Sequence, residues 1–158
     1  MRTTAEIVAT VRTHSGRANH AVPVAQALEL PESVLAVDPY LLGVWLGDGS
    51  KSSGGITTMD AEIEAAFAAS DFPPGVHGSK PGNRAWTFTA RGFVTQLRAL
   101  GVLGGKHIPA QYLRGSRPQR LSLLRGLMDT DGTVTDSGKP EFTNTNKAIV
   151  DGVHELIV

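Results

Sequence analysis

Two aspartates attract attention because each ends an apolar segment of the same design. Asp48 lies in the segment 41–49, LLGVWLGDG, and Asp131 lies in the segment 124–132, LRGLMDTDG. Both segments carry Leu, Gly, Asp and Gly at their first, third, eighth and ninth positions, and such internal repetition indicates a repeated structural unit. Paired carboxylates suit a divalent cation, which can activate water and stabilise a leaving oxygen. The repeat therefore suggests a divalent-cation site that could support hydrolysis.

Each segment has the composition of a short buried helix that ends near its aspartate. Asp38 and Pro39 supply an N-cap and a first-turn proline for the first helix. The glycine after each aspartate predicts a left-handed residue at the helix end. A glycine inside a helix costs about 1 kcal/mol relative to alanine, so Gly43, Gly47 and Gly126 need a structural reason. We predict that they form an interface where two helix backbones approach closely.

Packing the two helices side by side would bring Asp48 and Asp131 to the same end. A carboxylate is disfavoured at a helix C-terminus by roughly 0.3–1 kcal/mol, and two like charges also repel each other. A divalent cation between the carboxylates would relieve both effects. An Asp-Gly pair alone is a common turn signal, which is the alternative for either segment taken singly. The shared offsets of the two copies favour a common metal site.

The two segments resemble the paired signature of LAGLIDADG homing endonucleases. The sequence KHIP at 106–109 is similar to that of members embedded in inteins, and the lead-in 17–40 resembles inteins of bacterial replicative DNA helicases. The resemblance extends from about residue 17 to the end of the chain. It implies a site-specific endonuclease for double-stranded DNA that depends on Mg²⁺ or Mn²⁺. It also implies that Asp48, Asp131 and Lys106 are catalytic, with the two aspartates as metal ligands.

Three further side chains near the two segments need an assignment. By the family's pattern Lys106 would orient water or stabilise charge on the phosphate, whereas the alternative is a lysine that solvates a loop before Pro109. Asp129 stands where the first segment has Leu46, so we predict a polar residue at the helix edge and not a shared ligand. A second catalytic lysine is expected, but Lys139 lies too close to the second segment for this role.

The order of patterns along the chain predicts an α+β fold. After the first segment come one strand or a short hairpin, a helix capped by Asp60, a hairpin within 76–89 and a helix that ends at Gly101. This αββαββα order begins again at the second segment, and the resemblance implies two pseudo-symmetric units. We predict a lead-in segment at 1–38, a first half at 39–117 and a second half at 118–158.

The second half is expected to be incomplete. One hairpin and one helix follow its first helix, so the second hairpin and the final helix of the unit are missing. The last helix would then expose apolar residues, which should seek a missing C-terminal segment, an intein splicing domain or a second chain. These residues are Ile149, Val150, Val153, Leu156 and Ile157. We expect this chain alone to cut specific DNA poorly or not at all.

The charges are unevenly distributed although the formal net charge is zero. No acidic residue occurs between Asp71 and Asp129, whereas this interval holds nine Lys and Arg residues. Such asymmetry marks a footprint for a polyanion, with a solvated basic surface as the alternative. The resemblance implies that a sheet contacts the DNA major groove. The candidates in the first half are Lys51, Thr57, Lys80, Arg84, Thr87 and Thr89.

Composition excludes several other classes of protein. The 158 residues include no cysteine, which excludes disulfides and zinc thiolate sites. No apolar run approaches 18 residues and no leader is recognisable, so we expect a soluble protein of the cytoplasm without membrane partners.

Terminal splicing residues are also absent, so the chain is not expected to splice by itself. The alternative to an endonuclease is an inactive DNA-binding module, or an endonuclease relic within an intein.

Overall fold

The computed structural model describes residues 2–21, 26–79 and 84–157 and confirms the α+β class. Helices and strands alternate along the chain, and two antiparallel sheets form. The elements are α1 Thr4–Ala9, α2 Pro39–Asp48, β1 Ile56–Thr58, α3 Ala61–Ala68, β2 Pro74–Ser79, β3 Trp86–Ala90, α4 Phe93–Ala99, α5 Ala110–Leu113, α6 Arg117–Asp131, β4 Gly132–Val134, β5 Pro140–Phe142 and α7 Lys147–Ile157.

Local capping determines where the two central helices, α2 and α6, begin. The Asp38 carboxylate accepts hydrogen bonds from the backbone N–H groups of Tyr40 (2.8 Å) and Leu41 (3.3 Å), as its predicted N-cap role requires. Ser116 and Gln119 form a capping box at the start of α6, in which each side chain accepts from the other's backbone N–H. Both helices therefore have a start that the adjacent residues determine.

Helix α2 is buried along most of its length because α6 and the sheet cover it. Its apolar side chains are at most 2% exposed, namely those of Leu41, Leu42, Val44, Trp45 and Leu46. In the three-stranded sheet the order is β1-β3-β2, and Ile56 of β1 pairs with Phe88 of β3. The Phe67 ring of α3 packs edge to face against Phe88 at 5.3 Å and against Phe93 of α4 at 5.2 Å. This aromatic cluster holds α3 and α4 on one face of the sheet.

The predicted αββαββα order differs from the described elements in the first half. One named strand, β1, follows α2 where a hairpin had been the alternative, and Gly49 makes only an isolated bridge to Ile56. Between them, Ser50 and Gly55 close a tight turn through a backbone hydrogen bond of 2.6 Å. Because α2 continues to Asp48, no extended residues before Gly49 remain to lengthen this bridge into a ladder. The short helix α5 was also not predicted.

The last helix, α7, is better covered than its sequence suggested. Ile149 is fully buried and Val153 is only 4% exposed, so the expectation that all five apolar residues lack cover is wrong. Cover comes from the loop before α5, where the Ile108 side chain lies against Gly152. Ile157 remains 66% exposed. No helix in the described ranges is both long and apolar enough to cross a membrane.

The end of the lead-in segment packs directly against the second half of the chain. The Gln119 amide donates to the Ser33 carbonyl at 2.6 Å and accepts from the Ser33 N–H at 3.0 Å. The Tyr112 hydroxyl donates to the Val37 carbonyl at 2.9 Å, and burial raises the pKa of this phenol to about 12. These contacts fix the chain just before α2 begins.

Candidate active site

The helices α2 and α6 meet backbone to backbone at two glycines. A Cβ placed on Gly126 would lie 2.8 Å from the Val44 nitrogen and 3.1 Å from the Gly43 Cα. One turn further along, a Cβ on Gly47 would lie 3.2 Å from the Asp131 carboxylate. Because side chains larger than hydrogen have no room here, the two helices lie close enough for their final residues to share one site.

The glycines after the two aspartates serve a different purpose from the one predicted. Gly49 has φ −76° and Gly132 has φ −91°, so neither adopts the left-handed conformation expected from the sequence. The reason for glycine is space. A Cβ on Gly49 would lie 2.5 Å from the Trp45 indole nitrogen, and one on Gly132 would lie 2.5 Å from the Met128 methyl carbon. Each helix thus passes into extended chain directly after its aspartate.

The two carboxylates lie at adjoining helix ends, since Asp48 is the last residue of α2 and Asp131 the last of α6. Partial burial raises the pKa of Asp48, the Asp131 charge raises it further, and Lys106 acts in the opposite direction. One Asp131 oxygen accepts a hydrogen bond of 2.6 Å from the Asn144 side-chain amide. The pair therefore concentrates negative charge where both helices carry partial negative charge of their own.

The Lys106 ammonium group caps the end of α2. It donates to the Leu46 and Gly47 carbonyls at 3.0 Å each, and it lies 5.0 Å above the centre of the Trp45 ring. These carbonyls belong to the last turn of the helix, where intrahelical partners are missing. Burial lowers the pKa of Lys106 to about 8, while the charges of Asp131 and Asp48 oppose this shift. A cation held in this way lies beside both carboxylates.

A cavity of about 860 Å³ opens at this end of the helices. Lys51 lines it from the turn after α2, and Lys106 and Asp131 line it from the loop before α5 and from α6. Asn144 and Asn146 line it from the segment between β5 and α7. The cavity therefore brings cationic, carboxylate and amide groups together from both halves of the chain.

The donor groups fit a hard divalent cation. Asp48 and Asp131 offer carboxylate oxygens, the ligands that Mg²⁺ and Mn²⁺ prefer. Within the described ranges no cluster of three or more His, Asp or Glu side chains could hold a metal. Two carboxylates are sufficient for Mg²⁺, because this ion usually keeps several waters and adds oxygens of the substrate phosphate.

The candidate threonines lie on the outer face of the three-stranded sheet. Thr57 and Thr87 are directly paired across β1 and β3, and their hydroxyl oxygens are 2.8 Å apart. Thr89 is exposed on the same strand as Thr87, whereas Phe88 between them is fully buried. Alternate residues of a strand point to opposite faces. The polar face formed by these threonines is therefore available to a partner.

The basic residues of the chain do not form one surface. Lys51 and Arg84 are exposed, one in the turn after α2 and one just before β3. Arg114 instead pairs with Glu155 at 2.5 Å, and Arg120 is buried, with its Nε donating to the Gly115 carbonyl at 3.2 Å. Arg114 and Arg120 thus make contacts within the protein among its helices and connecting segments. The candidate Lys80 lies outside the described residues.

Asp129 lies outside the carboxylate pair. Its carboxylate accepts a hydrogen bond of 2.9 Å from the Tyr40 hydroxyl across the two helices, and the pKa of Tyr40 is raised by burial and by this contact. Lys139 is exposed in the turn between β4 and β5. Sequence reasoning missed Asn144 and Asn146, for which the only available signal was their position before a helix, typical of N-caps.

Comparison with known proteins finds a family whose model matches the second half. Residues 118–157 match the model of the family described as LAGLIDADG-like domain. Over 160 aligned residues the chain is 46% identical to a replicative DNA helicase DnaB from Mycobacterium intracellulare, with 100% of the chain and 25% of that protein covered. The chain thus spans about a quarter of its relative. Both resemblances noted in the sequence are confirmed.

Proposed function

We propose that this chain is the homing endonuclease domain of an intein and that it hydrolyses both strands of a specific DNA site. The observation that carries this proposal is the meeting of Asp48 and Asp131 at the ends of two glycine-packed helices, beside the half-buried Lys106. We further propose that residues 39–117 and 118–158 act as two halves that each supply one carboxylate.

The residues of the site divide the chemistry of hydrolysis between them. Asp48 and Asp131 would hold Mg²⁺ or Mn²⁺, which when bound polarises the phosphate and lowers the pKa of water. Lys106 places a cation at the same end of α2, where it would stabilise negative charge that develops on the phosphate. Because burial lowers the pKa of this amine to about 8, it can also release a proton near neutral pH.

DNA would lie along the outer face of the three-stranded sheet. Thr57, Thr87 and Thr89 offer hydroxyl groups there, which can bond to base edges or phosphates. Lys51 connects this face with the site, since it follows α2 and also lines the cavity. The smaller sheet, formed by β4 and β5, would contact the other half-site with strands of three residues each.

The similarity to a replicative helicase supports a host of that kind. A segment that aligns over its full length with a quarter of such a protein fits an insertion within the host chain. The partners proposed on this basis are double-stranded DNA and an intein splicing domain, at work in the bacterial cytoplasm. No helicase activity is proposed for this chain.

Cleavage of a randomised duplex library tests the proposed activity. The 158-residue polypeptide, and a longer form that includes the adjoining host sequence, would each be incubated with the library and Mg²⁺. We expect recovery of one enriched cut site, with faster cleavage by the longer form. DNA binding without any cleavage by either form would instead identify an inactive binding module or an endonuclease relic.

Replacing Lys106 by methionine should slow cleavage by about 100- to 1,000-fold, the usual effect of removing one group that stabilises charge in the transition state. Methionine retains an apolar stem over the Trp45 ring, so folding should be preserved. Single-turnover cleavage at saturating enzyme measures the effect. Lys139→Met, a change at an exposed turn, is the matched control and should leave the rate unchanged. Equal rates for both variants would exclude Lys106 from catalysis.

Lys51→Ala and Arg84→Ala should each weaken DNA binding and lower the salt dependence of its affinity. Loss of one phosphate contact reduces the slope of log affinity against log salt by about 0.9. Titrations at several salt concentrations measure the slope. Arg114→Ala serves as the control, because this residue pairs with Glu155 on the helical side. A reduced slope for Arg114→Ala alone would show that DNA binds on the surface that carries Arg114 and not on the sheet.

A further inference from the structure

Two asparagines between β5 and α7 connect the metal-binding carboxylate with the lysine loop. The Asn144 amide donates to an Asp131 oxygen at 2.6 Å, and its own oxygen accepts from the Asn146 backbone N–H at 2.7 Å. The Asn146 amide donates to the Lys106 carbonyl at 2.7 Å, and its oxygen accepts from the Ala148 N–H at 3.0 Å. All four polar atoms of the two side-chain amides thus have partners in one continuous network.

The partners determine the orientation of both amides. A carboxylate and a carbonyl can only accept, so the NH₂ groups must point to Asp131 and Lys106. Backbone N–H groups can only donate, so the amide oxygens must point to the N–H groups of Asn146 and Ala148. Turning either amide over would place its oxygen against another acceptor and its NH₂ group against a backbone N–H donor.

The equivalent turn in the first half shows which of these contacts capping needs. There the Thr58 hydroxyl accepts from the Asp60 N–H at 3.0 Å, and the Asp60 carboxylate accepts from the Glu62 N–H at 2.8 Å. Thr58 and Asp60 thus make both acceptor contacts that Asn144 and Asn146 make before α7. Local structure requires only the two oxygens, so the NH₂ groups are additional, and both point to groups of the candidate active site.

We propose that Asn144 and Asn146 are positioning residues that fix the Asp131 carboxylate relative to the main chain at Lys106. This inference rests on the proposed function and adds to it the residues that connect the two halves of the site. Asn144 orients one metal ligand, as outer-shell partners of ligands commonly do. Asn146 binds the main chain of the loop that carries Lys106, and the Lys106 ammonium group in turn binds the last turn of α2.

Replacing Asn144 and Asn146 by the residue types of the equivalent positions, Thr58 and Asp60, separates the positioning role from the capping role. Asn144→Thr and Asn146→Asp retain an oxygen acceptor for the turn and for the start of α7, but each removes an NH₂ donor. The matched controls are Thr58→Asn and Asp60→Asn, which make the reverse changes in the first half. Asn146→Ser provides a second variant that can cap the helix if the aspartate destabilises the fold. Thermal unfolding should show all five variants folded.

Four measurements distinguish the possible outcomes. Asn144→Thr should weaken Mg²⁺ or Mn²⁺ binding in calorimetry by about 10- to 100-fold, the usual effect of losing a partner of a metal ligand. Asn146→Ser should leave metal affinity unchanged. Asn146→Asp and Asn146→Ser should each slow single-turnover cleavage by a similar factor and increase acylation of Lys106 measured by mass spectrometry. The affinity for DNA should not change, and both first-half controls should match the wild type in every measurement.

Wild-type metal affinity for Asn144→Thr, together with wild-type Lys106 acylation for both Asn146 variants, would overturn the inference. If the wild-type protein itself does not cut DNA, the proposed function fails separately, because metal affinity and lysine acylation can still be measured. Equal losses in the first-half controls would also overturn it, since they would assign the effects to capping alone.

Discussion

Replacing Asp48 or Asp131 by asparagine is expected to reduce the rate of DNA cleavage by about 1,000-fold or more. The charge stabilisation that a bound metal supplies is worth several kcal/mol, and about 1.36 kcal/mol corresponds to a factor of ten in rate. Each substitution also removes one of two like charges at adjoining helix ends, which should preserve or slightly raise the melting temperature. Calorimetric titration with Mg²⁺ measures the expected loss of metal binding, and single-turnover kinetics measure the loss of cleavage. Both losses should occur in a protein that remains folded.

Asp129→Asn is the matched control for these substitutions. Asp129 is on the same helix as Asp131, but its partner is the Tyr40 hydroxyl, which an asparagine oxygen can also accept. We therefore expect normal metal binding and cleavage from this variant. Undiminished metal affinity in both Asp48→Asn and Asp131→Asn would show that the two carboxylates do not share a metal ion.

Gly126→Ala is expected to destabilise the protein by about 1–3 kcal/mol, the typical effect of overpacking a tight interface. The new methyl group would meet backbone atoms of α2, which can move only if the two helices separate. Separation would also move Asp131 away from Asp48, and a displacement of about 1 Å can reduce activity by 100-fold. Chemical denaturation and metal titration of the same variant measure both effects.

Gly152→Ala provides the matched control for that change. A Cβ on Gly152 would also meet atoms closely, at 2.8 Å, but its nearest contacts all belong to the Ile108 side chain. A side chain can change rotamer, and alanine favours the helix by about 1 kcal/mol over glycine, so the net change should be small. Similar destabilisation by both alanines would mean that the contact between α2 and α6 is not backbone to backbone.

Local interactions made the main elements readable from the sequence. Asp38 and Asp60 accept hydrogen bonds from N–H groups two residues ahead, so their effect on helix starts depends only on adjacent residues. The doubled segment with its aspartates also carried the resemblance to LAGLIDADG proteins, because similar residues at similar offsets require no knowledge of packing. The alternation of side chains along β3 is also a local property, because neighbouring residues of a strand point to opposite faces, and Thr87 is half-buried where Phe88 is fully buried.

Other features depend on groups far apart in the chain and could not be predicted locally. Lys106 bonds to carbonyls about 60 positions earlier, and only the packed structure shows that its ammonium group caps α2. Nor could the sequence show that Asn146 reaches the lysine loop or that Arg114 pairs with Glu155. Helix capping acts between residues a few positions apart, whereas these contacts exist only when segments far apart in the chain pack together.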